Sequence, residues 1–161
     1  MTKIKWMLPV LVMLLMLAGC PYKSDFALDT KGKKVNPALL GKWEPKSGFK
    51  ESYNVTQTSD FTYRIVKLHE DKKDSSVYSA YLVDVDGDQF LNLQQQGEMA
   101  DKGFYFYKVE LNTSGSKVTL WPVTENITEK FATAEEMRAF FKKYKGLSFF
   151  YDKTQEVYIK D

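Results

Sequence analysis

Two side chains are the first candidates for chemistry, because each is the only one of its kind. Cys20 is the single cysteine and His69 the single histidine among 161 residues. A lone cysteine has no partner for a disulfide within the chain. A lone histidine, here followed by "EDKKD", completes neither a Cys–His pair nor a metal cluster. We therefore expect His69 to be an exposed bystander and no catalytic or metal site, and we look for the role of Cys20 in the residues around it.

The residues before Cys20 have the composition of an export signal. Two lysines near the start are followed by an apolar run over residues 6–17, and two small residues then precede the cysteine. The apolar run is short for a helix crossing a hydrocarbon core of about 30 Å. An ordinary signal peptide or membrane anchor with an incidental cysteine is the alternative.

The segment Leu17-Ala18-Gly19-Cys20 resembles the lipobox of bacterial lipoproteins. The resemblance implies cleavage between Gly19 and Cys20, so that residues 1–19 are a signal peptide, and a diacylglyceryl group on the Cys20 thiol. No other cofactor is expected. Two acyl chains anchor a protein stably to a membrane, whereas one does so only marginally. Pro21 stands where enteric bacteria mark inner-membrane lipoproteins with aspartate, which by analogy favours the outer membrane of the cell envelope.

The composition after residue 19 bounds the partners and the fold. Without the two lysines of the signal segment, the remaining chain has 21 acidic and 21 basic residues and so no net charge. A neutral domain gives no reason to expect nucleic acid as a partner. All but one of the 24 aromatic residues lie in this part, and aromatic side chains favour strands.

Residues 20–37 are polar and lack a sustained periodicity. We interpret them as a flexible, lipidated tether. Its lysines lie against anionic lipid or, in the alternative we favour, are simply solvated.

Residues 38–161 show short alternating segments separated by turn signals. The sequence predicts eight or nine strands, among them a final hairpin of "LSFFY" and "QEVYIK", and one helix in "TAEEMRAFFKKYKG", with Thr133 and Glu136 spaced as a capping box. We expect the helix to cover an open end or edge of the sheet. The fold class is mainly β, a small antiparallel up-and-down barrel, with an open β-sandwich as the alternative.

The first predicted strand, "LLGKWE", contains Gly41-Lys42-Trp43. This resembles the Gly-x-Trp signature of lipocalins and related calycins, in which the Trp closes one end of the barrel and ligands enter at the other. Residues 38–161 also resemble uncharacterised bacterial lipoproteins with lipocalin-like domains and a helix before the last strand. The resemblance implies a barrel-closing role for Gly41 and Trp43. The alternative for Trp43 is an ordinary core aromatic.

The acidic run "DVDGD" invites a calcium interpretation, but its glycine is at the fourth position and not the sixth of an EF-hand loop. Asp86-Gly87 is instead typical of a type I′ hairpin turn, in which both central residues need positive φ.

Alternating tyrosines on several predicted strands are the candidates for a ligand pocket. Inside a barrel they would either line a cavity or fill the core; the residues are Tyr53, Tyr63, Tyr81, Tyr105 and Tyr107. A cavity indicates a carrier of a small apolar or amphipathic molecule. A filled barrel indicates an envelope protein-interaction module, such as an assembly factor or inhibitor. The segment "SGSK" resembles the inhibitory loop of lipoproteins that inhibit lysozyme, although their disulfide is absent.

Overall fold

The computed structural model describes residues 21–48, 51–69, 76–98 and 100–161. The predicted signal peptide, its cleavage site at Gly19 and the lipid attachment at Cys20 lie outside the described residues. Within these ranges, no helix has both the length and the apolar character needed to cross a membrane.

Eight strands form a closed antiparallel barrel in which each pairs with its neighbours in sequence and the last pairs with the first. This confirms the up-and-down barrel and excludes the open sandwich. A further two-residue strand, β1 (Lys23–Ser24), pairs with one end of β7. The barrel strands are β2 (Gly41–Pro45), β3 (Glu51–Ser59), β4 (Thr62–His69), β5 (Ser76–Val85), β6 (Asp88–Gln96), β7 (Phe104–Leu111), β8 (Lys117–Pro122) and β9 (Glu156–Lys160).

Alternation along the strands separates an inner from an outer face. On β5, Ala80 and Leu82 face the interior, whereas Val83 and Val85 belong to a hydrophobic cluster outside the barrel. The turn from β5 to β6 is the predicted one: Asp86 and Gly87 have φ of 54° and 88°, as a type I′ turn requires.

The predicted helix, α1 (Ala134–Tyr144), lies against the outer face of the barrel. Its N-cap forms as predicted, since the Thr133 hydroxyl accepts a hydrogen bond from the Glu136 amide at 3.1 Å. The Phe141 ring packs edge-on against Phe90 and Phe106, with centroids 5.4 and 5.3 Å away. The expectation that the helix covers an open end or edge is wrong, because its apolar side is matched by aromatic side chains on the outer face of β6 and β7.

Residues 21–37 also pack on the barrel, which differs from the flexible tether expected over residues 20–37. Leu28 is fully buried, and its amide donates to the Asn92 side-chain oxygen at 2.8 Å. The Lys33 amide donates to the Leu82 carbonyl at 2.7 Å. Apart from the two-residue β1, the segment runs in largely irregular backbone, so its few apolar side chains follow no period that the sequence could reveal.

The predicted final hairpin is wrong. Ser148–Phe150 forms a short 3-10 helix, and the buried Phe150 belongs to the outer cluster. Tyr151 makes a single bridge to Val123. β9 pairs instead with β8 and β2, and these pairings close the barrel.

Two hydrophobic clusters stabilise the described part of the chain. One lies inside the barrel and the other between its outer face, α1 and residues 21–37. Both clusters and the closed sheet lie within residues 21–161, and we expect this stretch to fold without residues 1–20.

Candidate ligand cavity inside the barrel

One end of the barrel is closed around Trp43. The indole N–H donates to the Leu39 carbonyl at 2.9 Å, and the residue is 3% exposed. The Lys160 ammonium lies 5.3 Å from the centre of the indole ring and donates to the Ala38 carbonyl at 2.8 Å. Trp43 therefore connects strand β2 to the last strand and to a short 3-10 helix, Pro37–Leu39, that precedes β2.

Gly41 is required by the backbone at this closed end. Its φ is +119°, and a Cβ added there would lie 3.2 Å from the Lys160 side chain. A side chain at this position would be strained by the backbone and crowded by Lys160. Both residues of the Gly-x-Trp motif therefore shape the closed end. Gly41 allows the backbone turn from the 3-10 helix into β2, and Trp43 packs beneath that turn.

A cavity of about 420 Å³ lies inside the barrel, within the range of about 300 to 1,000 Å³ typical of small-molecule sites. Much of its wall is apolar. The apolar lining includes Leu39, Val55, Ile65, Leu82, Leu91 and Val109. An interior of this kind can take an apolar group the size of a small ligand.

The polar residues lie at the opposite, open end of the barrel. There β3 and β9 begin and β4 and β6 end. Glu51 and Lys67 face each other there at 2.9 Å, and the His69 Nδ1 lies 3.4 Å from the other Glu51 oxygen. Burial alone would raise the pKa of Glu51, but the hydrogen bond and charge of Lys67 outweigh it and lower the pKa. The His69 side chain is 24% exposed, so the expectation of an exposed bystander is corrected: it lies partly buried beside Glu51.

A second carboxylate, that of Glu156, lies among tyrosines. The Tyr158 hydroxyl donates to it at 2.7 Å. Tyr158 and Tyr53 pack edge to face, with ring centroids 5.2 Å apart. Burial, and after it the Glu156 charge, raises the pKa of Tyr107 well above its usual range, so the phenol stays protonated.

Four of the five tyrosines singled out in the sequence line the cavity: Tyr53, Tyr63, Tyr105 and Tyr107. Tyr81 does not. It lies outside, where its hydroxyl donates to the Asp29 carbonyl at 2.7 Å, and burial with the nearby Asp29 raises its pKa to about 12. The physical reason is the two-residue period of a strand, since Ala80 and Leu82 occupy the inward positions of β5.

Sequence reasoning missed most of the polar lining. Lys67 and Gln95 line the cavity near strand ends, where the alternation begins or stops, and Glu51 lines an adjoining pocket at the rim. Glu156 and Tyr158 fall in the segment that the sequence predicts to form a hairpin. The alternation of Tyr63, Ile65 and Lys67 along β4 was the available signal for Lys67.

No protein-family model, curated protein or solved structure matches this chain.

The fold assignment accordingly rests on topology. A closed, eight-stranded, antiparallel barrel is consistent with a lipocalin-like domain. Among the described residues, no group of three or more His, Cys, Asp or Glu side chains is placed to hold a metal ion.

Proposed function

We propose that this chain is a lipid-anchored lipoprotein of the cell envelope whose barrel binds a small apolar or amphipathic molecule. The observation that carries the proposal is the cavity of about 420 Å³, closed near Trp43 and polar at its other end. The proposed role is sequestration and transfer rather than catalysis.

The position of Pro21 supports a link between anchor and cavity. Pro21 lines the cavity and forms a bridge with Thr124 just beyond β8. It directly follows Cys20, and consecutive Cα atoms are about 3.8 Å apart. An acylated Cys20 would therefore hold the open end of the barrel at the lipid surface, with no long tether between them. The outer membrane is the proposed location, on the grounds of the proline after Cys20.

The alternative function, a protein-interaction module, would be indicated by a barrel whose interior is filled with side chains. The cavity favours a carrier instead. The "SGSK" turn, residues 114–117, is held by its own hydrogen bonds: the Asn112 side-chain oxygen accepts from the Ser116 and Lys117 amides at 2.9 Å each. It lies at the closed end, away from the cavity opening.

Native mass spectrometry of residues 21–161, produced in a bacterium and gently purified, tests the proposal. We expect an additional mass of a few hundred daltons that is lost on denaturation. Leu93→Trp, which places a large ring in the cavity lining, should abolish that mass. Phe149→Trp, at a position 65% exposed on the outside, should retain it. A bare protein that also fails to take up a neutral alkyl probe would contradict the proposal.

A further inference from the structure

The charges that face the cavity are not equivalent. Lys67 is matched by Glu51, whose carboxylate it contacts at 2.9 Å and which also lies beside His69. Glu156 has the Tyr158 hydroxyl as its hydrogen-bond donor. Within the described ranges, Glu156 forms no ion pair with any Lys, Arg or His.

The surroundings of Glu156 are aromatic. Tyr53, Tyr78, Tyr105, Tyr107 and Tyr158 all line the same cavity. Burial raises the pKa of the Tyr107 and Tyr53 phenols, and the Glu156 charge adds to the rise in both. At Tyr53 the Lys67 charge opposes the rise. The Lys67 ammonium lies 5.9 Å from the centre of the Tyr53 ring but is paired with Glu51. Because the phenols stay neutral, Glu156 is the carboxylate of this cavity without an ion-pair partner among the described residues.

A carboxylate beside aromatic faces is the chemistry that recognises an organic cation. The carboxylate attracts the positive charge directly, and the negative face of each ring attracts it in addition. The attraction is larger in a partly desolvated cavity than in water. Among the described residues of the adjoining rim pocket, Lys46 is the lysine besides Lys67. Its side chain is exposed, where solvent screens its charge.

We propose that the cavity selects a cationic amphiphile, with an alkylammonium head held by Glu156 and the tyrosines and an apolar tail in the barrel interior. This inference rests on the proposed binding function and adds the charge class of the ligand. An anionic amphiphile is disfavoured, because its head would have to displace Glu51 from Lys67 while facing Glu156.

The test compares three probes that share one alkyl chain: decyltrimethylammonium, decanoate and decanol. Each is titrated below its micelle concentration into residues 21–161 carrying Trp121→Phe. This variant leaves Trp43, which lines the cavity, as the only tryptophan in that stretch and hence the fluorescent reporter. We expect the cation to bind at least tenfold more tightly than decanoate.

Glu156→Gln keeps the side-chain shape and removes the charge. We expect it to weaken binding of the cation roughly tenfold, equivalent to about 1.4 kcal/mol, and to leave decanol binding unchanged. Glu110→Gln, an exposed carboxylate on β7, is the matched control and should change neither. Added salt should weaken binding of the cation to the unsubstituted Glu156 protein and not that of decanol, which gives a measurement independent of the variant's folding.

The outcomes separate the two proposals. Equal or tighter binding of decanoate, or a cation affinity that Glu156→Gln does not change, overturns the cationic ligand while decanol binding still supports a carrier. Failure of all three probes to bind overturns both the cationic ligand and the carrier.

Discussion

The Tyr63 hydroxyl accepts a hydrogen bond from the backbone amide of Asn36 at 2.6 Å. Tyr63 is 2% exposed and points into the barrel, whereas Asn36 caps the 3-10 helix at the closed end. One side chain thus joins the barrel interior to the segment that covers it.

Tyr63→Phe should lower the free energy of unfolding by about 1 to 3 kcal/mol, because it leaves the Asn36 amide without its acceptor. Urea unfolding of residues 21–161 measures the change. Tyr105→Phe is the matched control and should cost less, since its hydroxyl reaches the exposed Asp101 carboxylate at 3.3 Å. Equal effects of the two substitutions would show that the Asn36 hydrogen bond is not important to stability.

Leu28→Ala tests whether residues 21–37 are part of the fold. Leu28 is fully buried in the outer cluster, so we expect a loss of about 2 to 5 kcal/mol in the free energy of unfolding. Phe26→Ala, in the same segment but 43% exposed, should have a much smaller effect. A negligible effect of Leu28→Ala would restore the view of this segment as a tether.

Glu51 should contribute to loss of stability in acid. Its pKa is lower in the folded protein than the ordinary value of about 4.3, so the carboxylate stabilises the fold above that value. This stabilisation disappears as the pH falls through the lowered pKa. Because the Glu51 side chain is 29% exposed, we expect a contribution below about 1 kcal/mol.

Glu51→Gln should therefore flatten the fall in the free energy of unfolding below about pH 4.5, as measured by urea titrations at several pH values. Glu125→Gln, at an exposed position, should leave the fall as steep as before. An unchanged slope in Glu51→Gln would mean that the Glu51–Lys67 pair does not persist in solution.

Cys20→Ser tests the lipid attachment in cells. We expect incorporation of a labelled fatty acid into the protein to stop and the chain to leave the acylated membrane fraction. Gly19→Ala keeps both the small residue and the thiol, so labelling should continue. Labelling of the Cys20→Ser protein would rule out this cysteine as the attachment point.

The sequence by itself determined most of the individual strands, the turn from β5 to β6 and the start of the helix, because that information is local. Alternation on strands such as β7 and positive φ at Asp86-Gly87 depend on residues near one another in the chain. The same holds for the N-cap of α1, since Thr133 and Glu136 are one turn apart. The Gly-Lys-Trp stretch, which by its resemblance to the lipocalin signature predicted the closed end, does lie at that end.

Only the tertiary structure decided where the elements that lie outside the barrel pack, and which charges meet. The burial of Leu28 depends on Asn92 and on the outer cluster, which are far away in sequence. The pairing of Glu51 with Lys67, leaving Glu156 among tyrosines, depends on the register of β3 with β4 and on β9 closing the sheet. Register and closure are set by the packing of the whole barrel, because a shift of one residue would turn every side chain of a strand to the other face.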